Sequence, residues 1–114
     1  MNRTSLPQRR PSMTQRAEHS GFEYTLTVGF DKAGQPREVF ADGAKYGSDR
    51  AHVVSDACVL ISLLLQHGAQ PDAIAKSLGT EISPFAGPQA SSIIGAIVGE
   101  LQAIAGEIAT EGRA

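Results

Sequence analysis

The chain has 114 residues, of which 41% are hydrophobic and 5% aromatic, and it contains no tryptophan. This length fits one domain of ordinary size and leaves no room for two separately cored halves. With so few aromatic residues, the core must be built from Leu, Ile, Val and Ala. A core of this size cannot also enclose a large cleft, which disfavours a stand-alone enzyme for a large substrate.

The charges are unevenly distributed along the chain. Residues 1–16 carry four arginines and no acid, a charge of +4, whereas the remaining 98 residues carry 6 basic and 12 acidic groups, a charge of −6. An acidic body argues against nucleic acid as a partner, because neutralised phosphates supply most of the affinity for nucleic acids. Residues 1–20 also contain two prolines and no periodic pattern. They are expected to form a flexible basic arm before a single domain over residues 21–114.

The cysteine content and the apolar segments of the chain indicate in which cellular compartment the protein is found. Cys58 is the one cysteine, so the chain can form neither an internal disulfide nor a zinc site built on cysteines. Its longest strongly apolar stretch, residues 57–65, is far shorter than the roughly 20 residues that a membrane span needs, and no signal-peptide pattern is visible. We therefore expect a cytoplasmic protein without membrane contact.

The first ordered segment has the period of a β-strand. Its apolar residues alternate strictly with Glu, Thr or Gly over nine positions, which predicts a strand with one buried face; they are Phe22, Tyr24, Leu26, Val28 and Phe30. Residues 31–36 have turn composition and residues 37–41 make a returning strand. The resulting β-hairpin needs helices to cover its apolar face.

Three helices follow the hairpin. Ser48 has the chemistry of an N-cap, and the first helix is expected to run to about Gln66, with Gly68 as its stop. Pro71 starts a short helix through Leu78. Residues 80–90 are expected to be a loop, and the last helix runs from about residue 91 to 110. The fold class is therefore α+β, with an N-terminal β-hairpin packed on three helices.

The first helix carries more apolar residues than one buried face requires. One stripe faces the core and consists of Val54, Ala57, Cys58, Ile61, Leu64 and Leu65, whereas the opposite side holds His52, Ser55, Asp56, Ser62 and Gln66. Val53, Leu60 and Leu63 widen the apolar arc, so this helix is expected to be either central in the fold or buried against a second molecule. In the last helix, Gly95 and Gly99 lie one turn apart, a spacing that serves ordinary helix packing more often than a dimer contact but lets another backbone approach closely in either case. These five residues are the candidate interface.

No constellation of residues indicates catalysis. Cys58 falls in the apolar stripe, where a buried structural thiol is expected rather than a reactive one. Gly47 and Ser48 precede a helix whose free amides would suit an anion or nucleotide, although Asp49 opposes a phosphate there. Catalytic, metal and cofactor sites are not indicated by the sequence.

Several segments, in this order, resemble the TSCPD domain. They are Gly21 to Gly29, Pro36 to Phe40, Gly47 to Asp49, the helix end Ile61-Ser62-Leu63-Leu64-Leu65-Gln66-His67-Gly68, and Ser91 to Ile97. The resemblance covers about residues 20–105. Family members occur mostly at the C-terminus of adenosylcobalamin-dependent ribonucleotide reductases, and also as short free-standing proteins. The sequence core that gave the domain its name is absent here, and only Gly47-Ser48-Asp49 stands near its place.

The resemblance implies a role in ribonucleotide reduction without catalysis by this chain. The family label would be ribonucleoside-diphosphate reductase, but that chemistry needs a thiyl radical and two reducing thiols besides cobalamin, and the chain has one cysteine. The first hypothesis is therefore an accessory or regulatory module without a cofactor that contacts a reductase large chain. The alternatives are a small self-associating scaffold protein and a weak nucleotide-binding sensor.

Overall fold

Two antiparallel sheets and three helices make up residues 11–43 and 49–111, the part of the chain that the computed structural model describes. For residues 108–111 the description is of the backbone alone. The elements in chain order are β1 (Ser12–His19), β2 (Phe22–Phe30), β3 (Pro36–Asp42), α1 (Asp49–Gln66), α2 (Pro71–Lys76), β4 (Thr80–Ser83), β5 (Gly87–Ala90) and α3 (Ile93–Glu111). The α+β class is confirmed, but a hairpin on three helices understates the β-structure.

The central strand is the one that the alternating pattern predicts. In β2, Tyr24, Leu26, Val28 and Phe30 are all buried on the helix side of the sheet. The turn to β3 is held by Asp31, whose carboxylate accepts the backbone N–H groups of Ala33 and Gln35 at 2.9 and 3.0 Å. The hairpin predicted over residues 22–41 is therefore present.

The expectation of a flexible arm over residues 1–20 is wrong where the structure describes it. Residues 12–19 form β1, which pairs antiparallel along its whole length with β2. Ser20 and Gly21 join the two strands with φ values of 51° and 82°, as in the tight turns that suit the twist of a hairpin. Residues 1–10 lie outside the described residues.

The expected loop over residues 80–90 contains a second small sheet. Strands β4 and β5 pair antiparallel from Thr80 with Ala90 to Ser83 with Gly87. Pro84 lies in the connection of this hairpin, whereas Gly87 is the first residue of β5, and each strand is only four residues long.

The helices follow the sequence signals closely. Helix α1 ends at Gln66 and is followed by Gly68 at φ 98°, the left-handed conformation that ends many helices. Pro71 is the first residue of α2, as predicted, but that helix ends at Lys76 rather than at Leu78. The predicted cap, Ser48, lies outside the described residues.

The core lies between one face of the three-stranded sheet and helices α1 and α3. Its buried apolar residues come from β2, β3, α1 and α3, and the fully buried aliphatic ones are Leu26, Val28, Val39, Leu65, Ile97, Val98, Leu101 and Ile104. As predicted, it contains few aromatic residues. Among the described residues, no helix has both the length and the hydropathy to cross a membrane.

Candidate functional site

Helix α1 lies along the free edge of β3 and bonds to its backbone. The backbone N–H of Val39 donates to Ser62 Oγ at 3.0 Å, and the Ser62 hydroxyl lies 3.3 Å from the carbonyl oxygen of Val39. One turn later, Gln66 Nε2 donates to the carbonyl oxygen of Arg37 at 3.0 Å. The side chains of α1 thus occupy positions that a fourth strand would fill. The prediction that Ser62 and Gln66 face outward is wrong.

A third contact extends this arrangement. The backbone N–H of Ala41 donates to the Cys58 thiol, so Cys58, Ser62 and Gln66 meet every second residue of β3. Four residues of a helix rise about 6 Å and two residues of a strand about 6.7 Å, so the two repeats run nearly in step. We call this set the edge ladder. It satisfies backbone groups that an exposed edge strand would leave open to pairing with another chain.

An ion pair fixes the end of the edge ladder. Arg37 Nε donates to Asp31 Oδ2 at 2.9 Å, and Arg37 Nη1 donates to the carbonyl oxygen of Leu65 at 2.5 Å. Partial burial alone would raise the pKa of Asp31. Hydrogen bonds from Arg37, Gln35 and Ala33 outweigh it and hold that pKa below its usual value.

Cys58 is a structural thiol, as the sequence predicted. Its side chain is buried, and burial raises its pKa despite the hydrogen bond from Ala41. A reactive cysteine needs an exposed thiolate with a lowered pKa. Cys58 has the opposite properties and is not built as a nucleophile.

The opposite side of α1 is apolar and exposed to solvent. Val53, Val59, Leu60 and Leu64 are 46%, 54%, 62% and 48% exposed, and with the partly buried Leu63 they make what we call the outer face. Leu64 was expected in the core stripe, and that expectation is wrong. A cavity of about 470 Å³ is lined by Leu60, Leu63, Leu64 and His67. From residue 57 to 66 the helix carries no charged side chain, which is unusual for a solvated surface.

A second exposed apolar surface lies at the turn of the β4–β5 hairpin. Phe85 is 98% and Ile82 81% exposed; we call these two residues the hairpin tip. The turn is ordered, because Ser83 Oγ accepts the backbone N–H groups of Phe85 and Ala86 at 3.2 and 3.3 Å. The chain therefore presents a large aromatic ring to solvent on a preformed turn.

The two glycines predicted to admit another backbone lie elsewhere, on α3. A Cβ atom at Gly95 would be 3.1 Å from the Cβ of Ala90, so this glycine admits β5 of the same chain. Gly99 faces open space. Both border a cavity of about 210 Å³ between α2, β5 and α3. The five residues predicted to form an interface therefore lie on two separate surfaces. Contact of a second chain with Gly99 stays a prediction.

Polar groups do not form a recognisable reactive centre in the part of the chain that is described. Gly47 and Ser48, the predicted anion contact, lie outside it. No three side chains of His, Cys, Asp or Glu in residues 11–43 and 49–111 are grouped so that they would hold a metal ion. A cavity of about 510 Å³ at the end of the sheet is lined by Glu18, Glu23 and Asp42 against Arg16. Its acidic lining opposes phosphates.

Tyr24 carries a buried hydroxyl with no hydrogen-bond partner among the described residues. Its ring is stacked on Phe22 at 5.8 Å between centroids. Burial, together with the charge of Glu100 and the proximity of Cys58, raises the pKa of Tyr24 to about 12. A pKa of about 12 keeps the Tyr24 hydroxyl protonated and neutral near pH 7. Glu100 accepts a hydrogen bond from Gln15 at 2.6 Å.

Sequence reasoning missed Val59, Leu64 and both residues of the hairpin tip. The sequence did contain a signal for the exposed residues of α1. Residues 57–66 carry no charge, and a helix that covers one sheet cannot bury all ten of them. The tip had only the Pro84-Phe85 pair as a signal, and an aromatic residue in a turn is too common to indicate a surface.

Comparison with known proteins gives one result. Residues 2–105 match the family model of the TSCPD domain, and the match includes β1, which the resemblance over residues 20–105 had left out. No curated protein and no solved structure matches the chain. The edge ladder and the outer face both fall in the matched region. The chain belongs to the TSCPD domain family.

Proposed function

We propose that this protein is a non-catalytic accessory or regulatory module of ribonucleotide reduction. It contacts a reductase large chain in the cytoplasm and so affects the supply of deoxyribonucleotides for DNA synthesis. The observation that carries the proposal is the family match over residues 2–105, because TSCPD domains are found in ribonucleotide reductases.

The chemistry of the chain supports a non-catalytic role. Thiol-based reduction of a nucleotide needs several cysteines, and this chain has Cys58 alone. That thiol is buried, with a raised pKa, and its position in the edge ladder gives it a packing role. The reducing equivalents for a nucleotide would therefore have to come from another chain.

The hairpin tip supports action by protein contact. A buried aromatic anchor is the usual centre of a protein interface, and Phe85 is 98% exposed in the chain alone. Because Ser83 holds the turn, little conformational freedom is lost when Phe85 enters a pocket. We assign the contact with the reductase to the hairpin tip.

The test is affinity purification of the tagged chain from its own cells, followed by mass spectrometry. We expect wild-type protein to recover a reductase large chain and Phe85→Ser to lose it. Leu60→Ser is the matched control, since it removes an exposed apolar side chain from the other surface and should keep the recovery. Recovery of no reductase subunit by wild-type protein would contradict the proposal.

A second candidate function is a small self-associating scaffold without a reductase link. The exposed outer face of α1 favours it, because apolar residues such as Leu60 are 62% exposed there. Recovery of the bait alone in the same purification would select this function. The nucleotide sensor is the weakest candidate, since no described residue supports it, and calorimetry with ATP and dATP showing no heat would remove it.

A further inference from the structure

The outer face of α1 has the pattern of a surface that matches itself. The charged residues of α1 are Asp49, Arg50 and Asp56, all in its first half, whereas residues 57–66 carry none. A contact between two copies is efficient when the uncharged halves overlap and the charged halves point away from each other. Only an antiparallel arrangement of two α1 helices does both.

We propose that the outer face is the interface of a two-fold homodimer, in which two α1 helices cross antiparallel with Leu60 against the partner's Leu64. Two-fold symmetry repeats each contact, so Leu64 meets the partner's Leu60. Val53, Val59 and Leu63 flank this centre. This inference does not depend on the link to ribonucleotide reduction.

A polar pair supports the antiparallel orientation, because an Asp carboxylate accepts a hydrogen bond from the N–H of a His imidazole. Asp56 lies one helical turn before Leu60, and His67 lies one turn after Leu64. Setting Leu60 against the partner's Leu64 therefore brings Asp56 beside the partner's His67, twice per dimer. Asp56 is exposed and His67 is half-buried at the same apolar cavity, so both side chains can reach the rim of such a contact. A parallel arrangement would instead bring Asp56 beside the partner's Asp56.

The residue composition of the outer face is more typical of a dimer interface than of a surface in contact with water. Specific interfaces bury about 800 Å² per partner, with an apolar centre and a polar rim. The five apolar residues of the outer face supply the centre, and Asp56 and His67 supply the rim. The hairpin tip lies outside this set, so a dimer through α1 leaves the proposed reductase contact to a different surface.

The test is the mass of the purified full chain in light scattering over a concentration series. We expect twice the 12.0 kDa of one chain at high micromolar concentration. Leu60→Glu and Leu64→Glu should each weaken dimerisation about tenfold or more, because each puts a charge at the apolar centre. Phe85→Ser should dimerise like the wild type. Circular dichroism checks that every variant is folded.

A charge exchange tests the orientation. Asp56→Arg and His67→Glu should each weaken the dimer, and the double variant should restore it, because the reversed pair meets again across the two-fold axis. A wild-type chain that is monomeric throughout, a dimer that survives both Leu→Glu changes, or a double variant without rescue would overturn the proposal. Since only purified chain is used, these results are independent of whether a reductase is recovered from cells.

Discussion

The two faces of α1 reverse the usual distribution of polar and apolar residues. Toward the sheet the helix presents Ser62 and Gln66 along with Leu65, and toward solvent it presents Leu60 and Leu64. The polar residues face inward because the free edge of β3 has backbone groups that must be bonded. The leucines facing outward have no such reason inside the chain, which is why we assign them to a contact. The sheet-facing side of α1 is therefore structural, and the outer face is its proposed contact surface.

The largest loss of stability should come from truncating Leu65, whereas truncating its neighbour Leu64 should have little effect. Leu65 is fully buried whereas Leu64 is 48% exposed, so Leu65→Ala should lower the free energy of unfolding by about 2–5 kcal/mol. Leu64→Ala should lower it by about 1 kcal/mol or less. Urea unfolding of dilute protein measures both. Equal losses would show that the two faces are not distinct.

Loss of one hydrogen bond of the edge ladder should lower the free energy of unfolding by less than loss of the Leu65 side chain. Ser62→Ala leaves the buried N–H of Val39 without its acceptor, which should cost about 1–3 kcal/mol. Ser55→Ala is the matched control on the exposed side of the same helix and should change stability by about 0.5 kcal/mol or less. Hydrogen exchange should show faster exchange at Val39 in Ser62→Ala. Unchanged protection of that amide would contradict the ladder.

The ion pair at the end of the ladder predicts a pH dependence. The pKa of Asp31 is lowered in the folded chain, so its contribution is present above the unfolded value of about 3.9 and is lost as pH falls through the folded value. Because the pair is partly solvated, we expect a contribution of about 1 kcal/mol. Asp31→Asn should remove this part of the acid dependence of stability, and Asp42→Asn, an exposed control, should retain it. The same acid dependence in both variants would contradict the assignment.

The smallest effect should come from Tyr24, which lies near Cys58 on the sheet-facing side of α1. Its buried hydroxyl has no partner in the described part of the chain, so Tyr24→Phe should be neutral or stabilising, within about 1 kcal/mol near pH 7. Since folding raises this pKa to about 12, the wild type should also lose stability as pH rises from about 10 toward 12. Tyr24→Phe should lack that loss. A strongly destabilised Tyr24→Phe would mean that the hydroxyl has a structural partner.

The sequence predicts those elements of the fold that carry their own periodic signal. Helices α1 and α3 and strands β2 and β3 have such signals, from apolar spacing or turn residues. Strand β1 does not, because an edge strand with residues such as Gln15 and His19 on its inner side obtains its stability from pairing with β2. The short β4–β5 hairpin was missed since turn residues dominate its sequence.

The candidate site was predictable in part. Val53 and Leu60 are exposed, so the wide apolar arc does not make α1 a central helix, and its contact with a second molecule stays a prediction. Leu63 is partly buried, and Leu64 was placed on the wrong side of the helix. That error has a physical cause: helical periodicity ranks residues by hydropathy, whereas the edge of β3 selects Ser62 and Gln66 for their hydrogen bonds.

The most direct test of the functional account is a ribonucleotide reduction assay with and without this chain. Purified chain alone should form no deoxyribonucleotide, whereas addition of the chain to the reductase large chain of the same cells should change the rate of the reaction. Addition of the Phe85→Ser variant should leave the reaction rate of the large chain at the value that it has without this chain. Product formed by the chain alone, or a reductase rate that does not respond to wild-type chain, would contradict the assignment as a non-catalytic accessory module.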